Sequence, residues 1–264
     1  MNSFFFITIL LLFQFILSFE SIFRLCNLNS YSKKNKIAND IDLINIISII
    51  INKNLPIRYQ KNCVGILPVA KIRDDIFAFL TEKERVFFTL LLKKSKKYLE
   101  FGMGGSTLLA YVTPNIEKII SIDSDYNWIQ SIKSFKNLKN DEGKRIILNY
   151  IDVGEVGNWG FPKKKNSKIS NYSKQIFKKY ENDYDLVLID GISRVACALQ
   201  VILNCKSDIK ILIHDFNYRP YYHILYKYLD IIYAIDAFAL FSIKDDIDLN
   251  EIKQDYEKYK MDIR

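Results

Sequence analysis

The sequence predicts an α/β fold built on a doubly wound, mostly parallel seven-stranded sheet that ends in an antiparallel C-terminal hairpin strand. Two observations support this prediction. Predicted strands and helices alternate from about residue 98 to residue 229, and most of the predicted strands are apolar along their whole length. Such alternation with apolar strands is typical of a parallel sheet that is buried on both faces.

Local signals place the individual elements. Thr81–Glu84 has the pattern T-x-x-E before an apolar run, a capping box that predicts the start of a helix. The predicted strands are Tyr98–Phe101, Ile119–Asp123, Arg145–Tyr150, Asp185–Asp190, Ile209–Ile213, Ile231–Ile235 and Phe238–Ile243. The predicted helices between them are Gly105–Val112, Trp128–Leu138, Arg194–Leu203 and about Tyr221–Leu229. Residues 154–180, with Gly, Pro, Asn and the basic cluster Lys163–Lys165, interrupt the alternation and predict a long irregular insertion, often functional or disordered.

Length and composition limit the classes of protein that need to be considered. The 264 residues fit one large domain, or one domain with an N-terminal extension, and a hydrophobic content of 49% excludes a disordered chain. The net charge of +8 comes from lysine, and Arg and aromatic residues are sparse where Lys is dense. We therefore expect a solvated basic surface and no nucleic-acid partner. Four cysteines without a C-x-x-C pair, and only two histidines, argue against a structural zinc site.

The N-terminus carries a segment that would determine location. Phe4–Phe19 is apolar on all sides and matches either a cleaved signal peptide or a signal-anchor, so residues 1–23 are assigned to it. Residues 24–62 are predicted to form a linker and an N-terminal helix, and residues 63–264 the α/β domain. The chain is thus expected in the secretory pathway or anchored to a membrane by this segment. An uncleaved segment followed by basic residues would leave the domain facing the cytosol, and cleavage would place it in the lumen.

A glycine-rich stretch lies where the first predicted strand turns into a helix. In Glu100–Thr107, EFGMGGST, Gly102 and Gly104 allow close approach of the backbone to a ligand. The following helix N-terminus offers free N–H groups to an anion. A dinucleotide-binding loop would have Gly or Ala at the position that Thr107 occupies, so that pattern fails. The spacing E-x-G-x-G-x-S is present instead, with Ser106 at its end.

This spacing resembles the first motif of class I S-adenosylmethionine-dependent methyltransferases, whose loop holds the methionine end of the cofactor. Asp123 follows Gly102 by 21 residues, close to the offset at which an acid reaches the ribose hydroxyls in Rossmann-like folds. Asp152 follows the third predicted strand, where the resemblance implies an acid that contacts the adenine amine. The cofactor is therefore expected to be S-adenosyl-L-methionine. Its predicted ligands are Glu100, Gly102, Gly104, Ser106, Thr107, Asp123 and Asp152.

Further motifs resemble a group of uncharacterised methyltransferase-like proteins over about residues 63–243. The matching pieces are EFGMGGST, GNWG at Gly157–Gly160, VLIDG at Val187–Gly191, RVACAL at Arg194–Leu199 and IHDF at Ile213–Phe216. The resemblance implies the Rossmann-like fold and the cofactor, but it says little about the substrate.

The predicted reaction site lies at the ends of the fourth and fifth strands. Asp190 and Asp215 end strands expected to be neighbours, so both carboxylates should face one crevice. They could hold Mg²⁺ and orient a substrate hydroxyl, as an Asp and an Asp-Asn pair do in catechol-type O-methyltransferases, although Phe216 replaces that Asn. Alternatively, His214 or Asp215 acts as a general base, or the groups only cap helices. The candidate catalytic residues are therefore Asp190, His214 and Asp215.

Two arginines lie just beyond these strand ends. Arg194 and Arg219 could each bind an anionic acceptor through a bidentate contact, or form surface salt bridges. We expect O-methylation of a saccharide or other hydroxylated acceptor, with a small molecule or a lipid as the alternative. The competing functions are an NAD(P)-dependent oxidoreductase and a non-catalytic binding module on a methyltransferase fold.

Overall fold

Seven strands form one mixed sheet in the computed structural model, which describes residues 80–135 and 138–264. The strands are β1 (Lys97–Phe101), β2 (Lys118–Asp123), β3 (Ile146–Tyr150), β4 (Leu186–Ile189), β5 (Lys210–Ile213), β6 (Leu229–Ile235) and β7 (Phe238–Ile243). Their spatial order is β3-β2-β1-β4-β5-β7-β6. Strands β1 to β5 pair in parallel, whereas β7 is antiparallel to both β5 and β6. Six strands therefore point the same way, and the predicted fold class is confirmed.

Helices surround this sheet. They are α1 (Glu82–Lys94), α2 (Gly105–Val112), α3 (Tyr126–Lys133), α4 (Leu138–Asp141), α5 (Ile169–Lys174), α6 (Arg194–Asn204) and α7 (Leu249–Tyr259). The predicted capping box at the start of α1 is present: the Thr81 hydroxyl accepts from the Glu84 N–H at 3.2 Å, and the Glu84 carboxylate accepts from the Thr81 N–H at 2.8 Å. Helices α2 and α6 also begin at the predicted residues.

The helix predicted over Trp128–Leu138 is shorter and starts earlier. The Asp125 side chain caps α3 by accepting hydrogen bonds from the backbone N–H groups of Asn127 and Trp128. The prediction missed this cap and ran the helix on to Leu138, which instead begins the separate short helix α4.

The helix predicted at about Tyr221–Leu229 is a 3₁₀ helix, Pro220–Lys227, and Leu229 already belongs to β6. The buried residues explain the difference, because Tyr222, Leu225 and Tyr228 are spaced by three. Side chains three residues apart lie on one face of a 3₁₀ helix. A second difference is α7, which the sequence analysis did not predict; Asp248 caps it, and it packs against α6.

The insertion at residues 154–180 is irregular, as predicted, but it is built into the core. It contains two single-turn 3₁₀ helices, Asn158–Gly160 and Ile176–Lys178, in addition to α5. Tyr172 and Phe177 are buried and pack against Phe101 of β1, with ring centroids 6.1 and 6.2 Å apart. The insertion thus covers one face of the sheet.

The predictions for the N-terminal part of the chain concern residues that the structure does not describe. The apolar segment Phe4–Phe19, the assignments to residues 1–23 and 24–62, and the domain boundary at residue 63 all lie outside the described residues. Within residues 80–135 and 138–264, no helix combines the length and the apolar character needed to cross a membrane.

Two glycines bring the ends of β1 and β4 into backbone contact. Gly102 has φ +97°, and a Cβ at this residue would lie 2.5 Å from the Gly191 nitrogen. A Cβ at Gly191 would lie 2.1 Å from the Tyr172 hydroxyl and 2.9 Å from the Gly102 nitrogen. No side chain larger than hydrogen fits between these two turns, so the glycines define how closely β1 and β4 approach at their carboxyl ends.

We expect Gly102→Ala to lower the free energy of unfolding by about 3 kcal/mol or more, because a positive φ and a clash with backbone both act there. Gly143→Ala is the matched control: Gly143 has φ +80°, but a Cβ there meets no described atom within 4 Å. Its cost should be the conformational one alone, about 1–2 kcal/mol. Urea unfolding of both variants measures the difference, and equal losses would show that the contact with Gly191 contributes nothing.

Candidate functional site

The carboxyl ends of four parallel strands meet at one edge of the sheet. In the strand register Phe101 pairs with Ile122 and Ile189, and Ile189 pairs with Ile213. The residues that come next along each strand therefore lie at the same level: Gly102, Asp123, Asp190 and His214. The sheet topology therefore brings these four predicted site residues together. Ligands of open α/β sheets bind outside this edge.

The loop between β1 and α2 is held by side chains from the neighbouring strand and helix. Asp123, the last residue of β2, accepts a hydrogen bond from the Met103 backbone N–H at 2.9 Å. The Trp128 indole of α3 donates to the Met103 carbonyl at 2.6 Å. Both backbone groups of Met103 are thus fixed from outside the loop. Gly104 has extended backbone, and a Cβ there would meet no described atom within 4 Å. The open side of the loop therefore lies at Gly104.

A buried network beneath the loop shapes it from the protein side. Glu100 is fully buried, and its carboxylate accepts hydrogen bonds from the hydroxyls of Ser106, of Thr107 at 2.5 Å and of Ser121 at 2.7 Å. The Thr107 hydroxyl also accepts from the Gly104 N–H at 2.9 Å. Glu100, Ser106 and Thr107 therefore direct their polar groups at one another and at the loop backbone. Their direct contact with a cofactor stays a prediction.

The two predicted acids of the cofactor site differ in their surroundings. Asp123 is 9% exposed, and burial raises its pKa to about 6, against hydrogen bonds from the backbone of Asp125 and Met103. Asp152 is exposed and pairs with Lys168 at 2.6 Å, a contact that lowers the pKa of the Asp152 carboxyl. Both lie at the same edge, since the N–H of Ile151 donates to the Asp123 carbonyl.

The three predicted catalytic residues form one cluster at the ends of β4 and β5. The His214 Nδ1 atom lies 3.0 Å from Asp190 Oδ1 and 3.7 Å from Asp215 Oδ1. Asp215 has φ +60°, an uncommon conformation outside glycine that turns its carboxylate towards the other two groups. The two carboxylates therefore lie close together at this edge, as their strand positions predicted; the crevice that they would face stays a prediction.

Arg194 lies inside the cluster as its counterion. This guanidinium is 8% exposed and contacts Asp190 Oδ1 at 3.1 Å and Asp215 Oδ2 at 3.0 Å. It also donates to the backbone carbonyls of Gly191 at 2.9 Å and His214 at 2.5 Å. Arg194 therefore fixes the two strand ends, and its donors point inward and not towards an acceptor. Arg219 pairs with Asp215 at 2.8 Å and is about one-third exposed, so it is the arginine that faces solvent.

The cluster does not fit the Mg²⁺ ion that the sequence analysis considered. Asp190, His214 and Asp215 can offer ligand atoms within 4.8 Å of one another, which is close enough for a metal. However, Arg194 and Arg219 already lie 2.8–3.1 Å from the carboxylate oxygens that a divalent cation would use. A cation there would replace these ion pairs and sit beside two guanidinium charges. The arginines thus argue against a metal site.

The charges around His214 favour its protonated form. Burial alone would lower the pKa of His214, but the hydrogen bond to Asp190 and the charges of Asp190 and Asp215 raise it above the ordinary value of 6.5. Burial would conversely raise the pKa of Asp190, yet the hydrogen bond from His214 and the charge of Arg194 hold it below its usual range. On its other side, His214 Nε2 lies 3.8 Å from the buried carboxylate of Glu84.

Two residues of this edge escaped the sequence analysis. Glu84 was recognised only as part of a helix cap. Its approach to His214 depends on how α1 packs against the turn between β6 and β7. In that turn the Ala237 N–H donates a hydrogen bond to Glu84 Oε1 at 2.7 Å. Trp128 was recognised only as part of a helix, and its contact with Met103 depends on how α3 packs. In the sequence, Glu84 stood out only through the capping box and Trp128 only as a tryptophan, and neither pattern indicates a contact with His214 or Met103.

Comparisons with known proteins support the fold. No protein-family model and no curated protein match this chain. Among solved structures, it is similar to a methyltransferase-like protein from Silicibacter pomeroyi DSS-3, with a TM-score of 0.63, 24% sequence identity, and coverage of 71% of this chain and 98% of that chain. An O-methyltransferase from Bacillus cereus in complex with SAH also matches, with a TM-score of 0.44, 11% identity, and coverage of 70% of this chain and 88% of that chain. The first similarity establishes a methyltransferase-like fold, and the second is too distant to carry an argument.

The buried carboxyl of Glu100 should make stability depend on pH. Its pKa is near 4.5 in the unfolded chain and about 7 in the fold, so unfolding releases a proton between these values. The free energy of unfolding should therefore fall by about 3 kcal/mol as the pH rises from about 4.5 to 7. Asp123, whose pKa rises to about 6, adds a smaller fall of the same sign.

We expect Glu100→Gln to reduce this dependence and to leave the part due to Asp123, because the neutral amide loses no proton on unfolding. Urea unfolding at several pH values measures it, and Glu257→Gln, at an exposed carboxylate of α7, is the control that should keep the slope of the wild type. An unchanged slope in Glu100→Gln would mean that Glu100 is ionised in the fold throughout this range.

Proposed function

We propose that this chain is an S-adenosylmethionine-dependent methyltransferase. The observation that carries the proposal is the loop at Gly102–Gly105: its backbone is fixed by Asp123 and Trp128, and its open side lies at Gly104. A rigid loop with an open face at a helix N-terminus suits a ligand that the backbone approaches closely. The methyltransferase-like fold and the spacing of Asp123 from the loop support the same cofactor.

The residues at this edge fit the cofactor in three places. The loop at Gly104 would hold the methionine end of the cofactor, and Asp123 would bind the ribose hydroxyls. Asp152 would bind the adenine amine after its ion pair with Lys168 breaks. Glu100, Ser106 and Thr107 would act beneath the loop by keeping it in shape. When bound, S-adenosylmethionine supplies an activated methyl group, so most of the protein's task is positioning.

The cluster at the ends of β4 and β5 is suited to taking a proton from an acceptor hydroxyl. Asp190 accepts a hydrogen bond at His214 Nδ1, and this arrangement leaves Nε2 as the atom that can take up the proton. Arg194 keeps Asp190 and Asp215 in place and balances their charge. The charges of Asp190 and Asp215, which raise the pKa of His214, favour the imidazolium that would form. We propose a metal-free base on this geometry.

The proposed acceptor is a saccharide or another hydroxylated molecule, with a small-molecule or lipid acceptor as the alternative. A His–Asp pair is the kind of group that assists transfer to a weakly acidic hydroxyl. Arg219, the more exposed of the two arginines, would contact an anionic group on such an acceptor.

An NAD(P)-dependent oxidoreductase is the second candidate, and the loop argues against it. Thr107 stands where a dinucleotide loop has a small residue for close packing, and here its hydroxyl is committed to Glu100 and the Gly104 N–H. A non-catalytic binding module would bind the cofactor and methylate no acceptor, so the two experiments below separate it from an enzyme.

Calorimetry on the full chain should detect binding of S-adenosylmethionine and S-adenosylhomocysteine, and none of NAD. Gly104→Val should remain folded, because its side chain enters space that is open in the protein, and should weaken binding at least about 10-fold by blocking the ligand. Gly143→Ala, at the amino end of β3, should bind as the wild type does. Heat with NAD alone would favour the oxidoreductase.

Untargeted mass spectrometry of cell extracts incubated with wild type should reveal a product heavier by one methyl group. Asp190→Asn and His214→Gln should lower kcat by about 10²–10⁴ while cofactor affinity changes little, because both act on the acceptor proton. The wild-type rate should rise with pH through a pKa above 6.5, since the raised pKa of His214 keeps the base protonated below it. A rate that does not change with pH would exclude His214 as the base.

A further inference from the structure

The insertion after β3 contains a hairpin that the proposed mechanism leaves without a role. Val156 and Pro162 form an antiparallel bridge, and the Lys163 N–H donates to the Glu155 carbonyl at 2.8 Å. Closer to the tip, the Gly157 N–H donates to the Phe161 carbonyl at 2.8 Å. Residues 155–163, which we call the GNWG hairpin, therefore have a defined backbone.

The tip of the GNWG hairpin rests on the end of β2. The Ser124 hydroxyl donates to the Gly160 carbonyl at 2.7 Å. A Cβ at Gly160 would lie 2.6 Å from the Ser124 hydroxyl oxygen and 3.4 Å from Asp123 Oδ1. Glycine at this position thus lets the tip approach Ser124. It also leaves space beside the Asp123 carboxylate, which we propose binds the ribose hydroxyls.

The residue before this glycine presents a large aromatic ring in a strained conformation. Trp159 has φ +61° and is 78% exposed, the highest exposure among the large hydrophobic residues described. A left-handed backbone is unfavourable for a bulky residue and is typical of sites where a ligand is held. The hairpin therefore exposes an indole one residue before the glycine that approaches Asp123, at an energetic cost to the fold.

We propose that Trp159 covers the adenosyl group of the bound cofactor, an inference that rests on the proposed function. The tip is anchored to Ser124 and lies beside Asp123. A ribose bound by Asp123 would therefore contact Gly160. The adenine attached to that ribose could then stack against the Trp159 indole. Stacking on an aromatic side chain is a general way to bind a nucleobase. The acceptor, by contrast, would bind at the ends of β4 and β5.

Binding to the full-length protein tests this inference with Trp159→Ala and Trp159→Phe. The ligands are S-adenosylmethionine, S-adenosylhomocysteine and methylthioadenosine, which share the adenosyl group but differ in charge and in the amino-acid end. Trp159→Ala should weaken all three by roughly 5- to 100-fold, the range of aromatic–base stacking, and Trp159→Phe should restore part of the affinity. Tyr218→Ala, an exposed aromatic after β5, is the control and should leave all three unchanged.

Fluorescence gives a readout that is independent of affinity. The chain has two tryptophans, and Trp128 is half-buried against the loop, so the signal lost in Trp159→Phe belongs to Trp159. Ligand binding should shift that signal to shorter wavelength or quench it. Thermal melting checks that each variant is folded.

Three results would overturn the inference, and they differ from one another. A wild type that binds none of the ligands would remove the proposed function along with it. Normal binding by Trp159→Ala, with no change in Trp159 fluorescence, would refute the role of Trp159 alone. A loss confined to S-adenosylmethionine would show that the indole meets the sulfonium charge and not the adenosyl group.

Discussion

The cluster at the ends of β4 and β5 depends on the buried guanidinium of Arg194. Asp190 and Asp215 end neighbouring strands, and without a cation between them their charges would repel across one strand spacing. Arg194, the first residue of α6, reaches both carboxylates and also the carbonyls of Gly191 and His214. It therefore fixes two strand ends and a helix start at once. Losing a partner of such a buried pair leaves an uncompensated charge, which is usually costly.

In the proposed cofactor half of the same edge, the glycine-rich loop is held by hydrogen bonds. Met103 is fixed by one carboxylate and one indole, Gly104 by the Thr107 hydroxyl, and Glu100 beneath them accepts from three hydroxyl groups. Hydroxyl donors oppose the effect of burial on Glu100 but do not overcome it, so its pKa stays near 7. The function that we propose would account for this difference: a loop that binds a cofactor needs a rigid backbone, whereas a cluster that accepts a proton needs groups whose charge can change.

Local sequence patterns predicted the features that depend on residues close together in the chain. The strands, the capping box at Thr81 and the glycine-rich loop all follow from residues within about ten positions of one another. The 3₁₀ type of the helix Pro220–Lys227 was missed because apolar residues three apart also lie on one face of an α-helix. The helix α7 was missed because it has few apolar residues. The burial of Arg194 and the approach of Glu84 to His214 arise from contacts between distant elements. The sequence therefore predicted which residues would lie at this edge of the sheet, whereas the contacts that each of them makes required the fold, and their roles stay predictions.

Backbone strain is concentrated where these tasks meet. Of the four non-glycine residues with positive φ in the described part of the chain, Trp159, Ser193 and Asp215 lie at or next to the carboxyl edge of the sheet. Ser193 precedes Arg194, Asp215 carries a carboxylate of the cluster, and Trp159 forms the hairpin tip. Each such conformation costs on the order of 1–3 kcal/mol and persists only where surrounding packing imposes it. Here Asp215 follows the buried end of β5, Arg194 next to Ser193 is held by its ion pairs, and the Gly160 carbonyl next to Trp159 accepts a hydrogen bond from Ser124. The backbone of the site is thus constrained by the protein itself, and such preorganisation is what the methyl transfer that we propose would require.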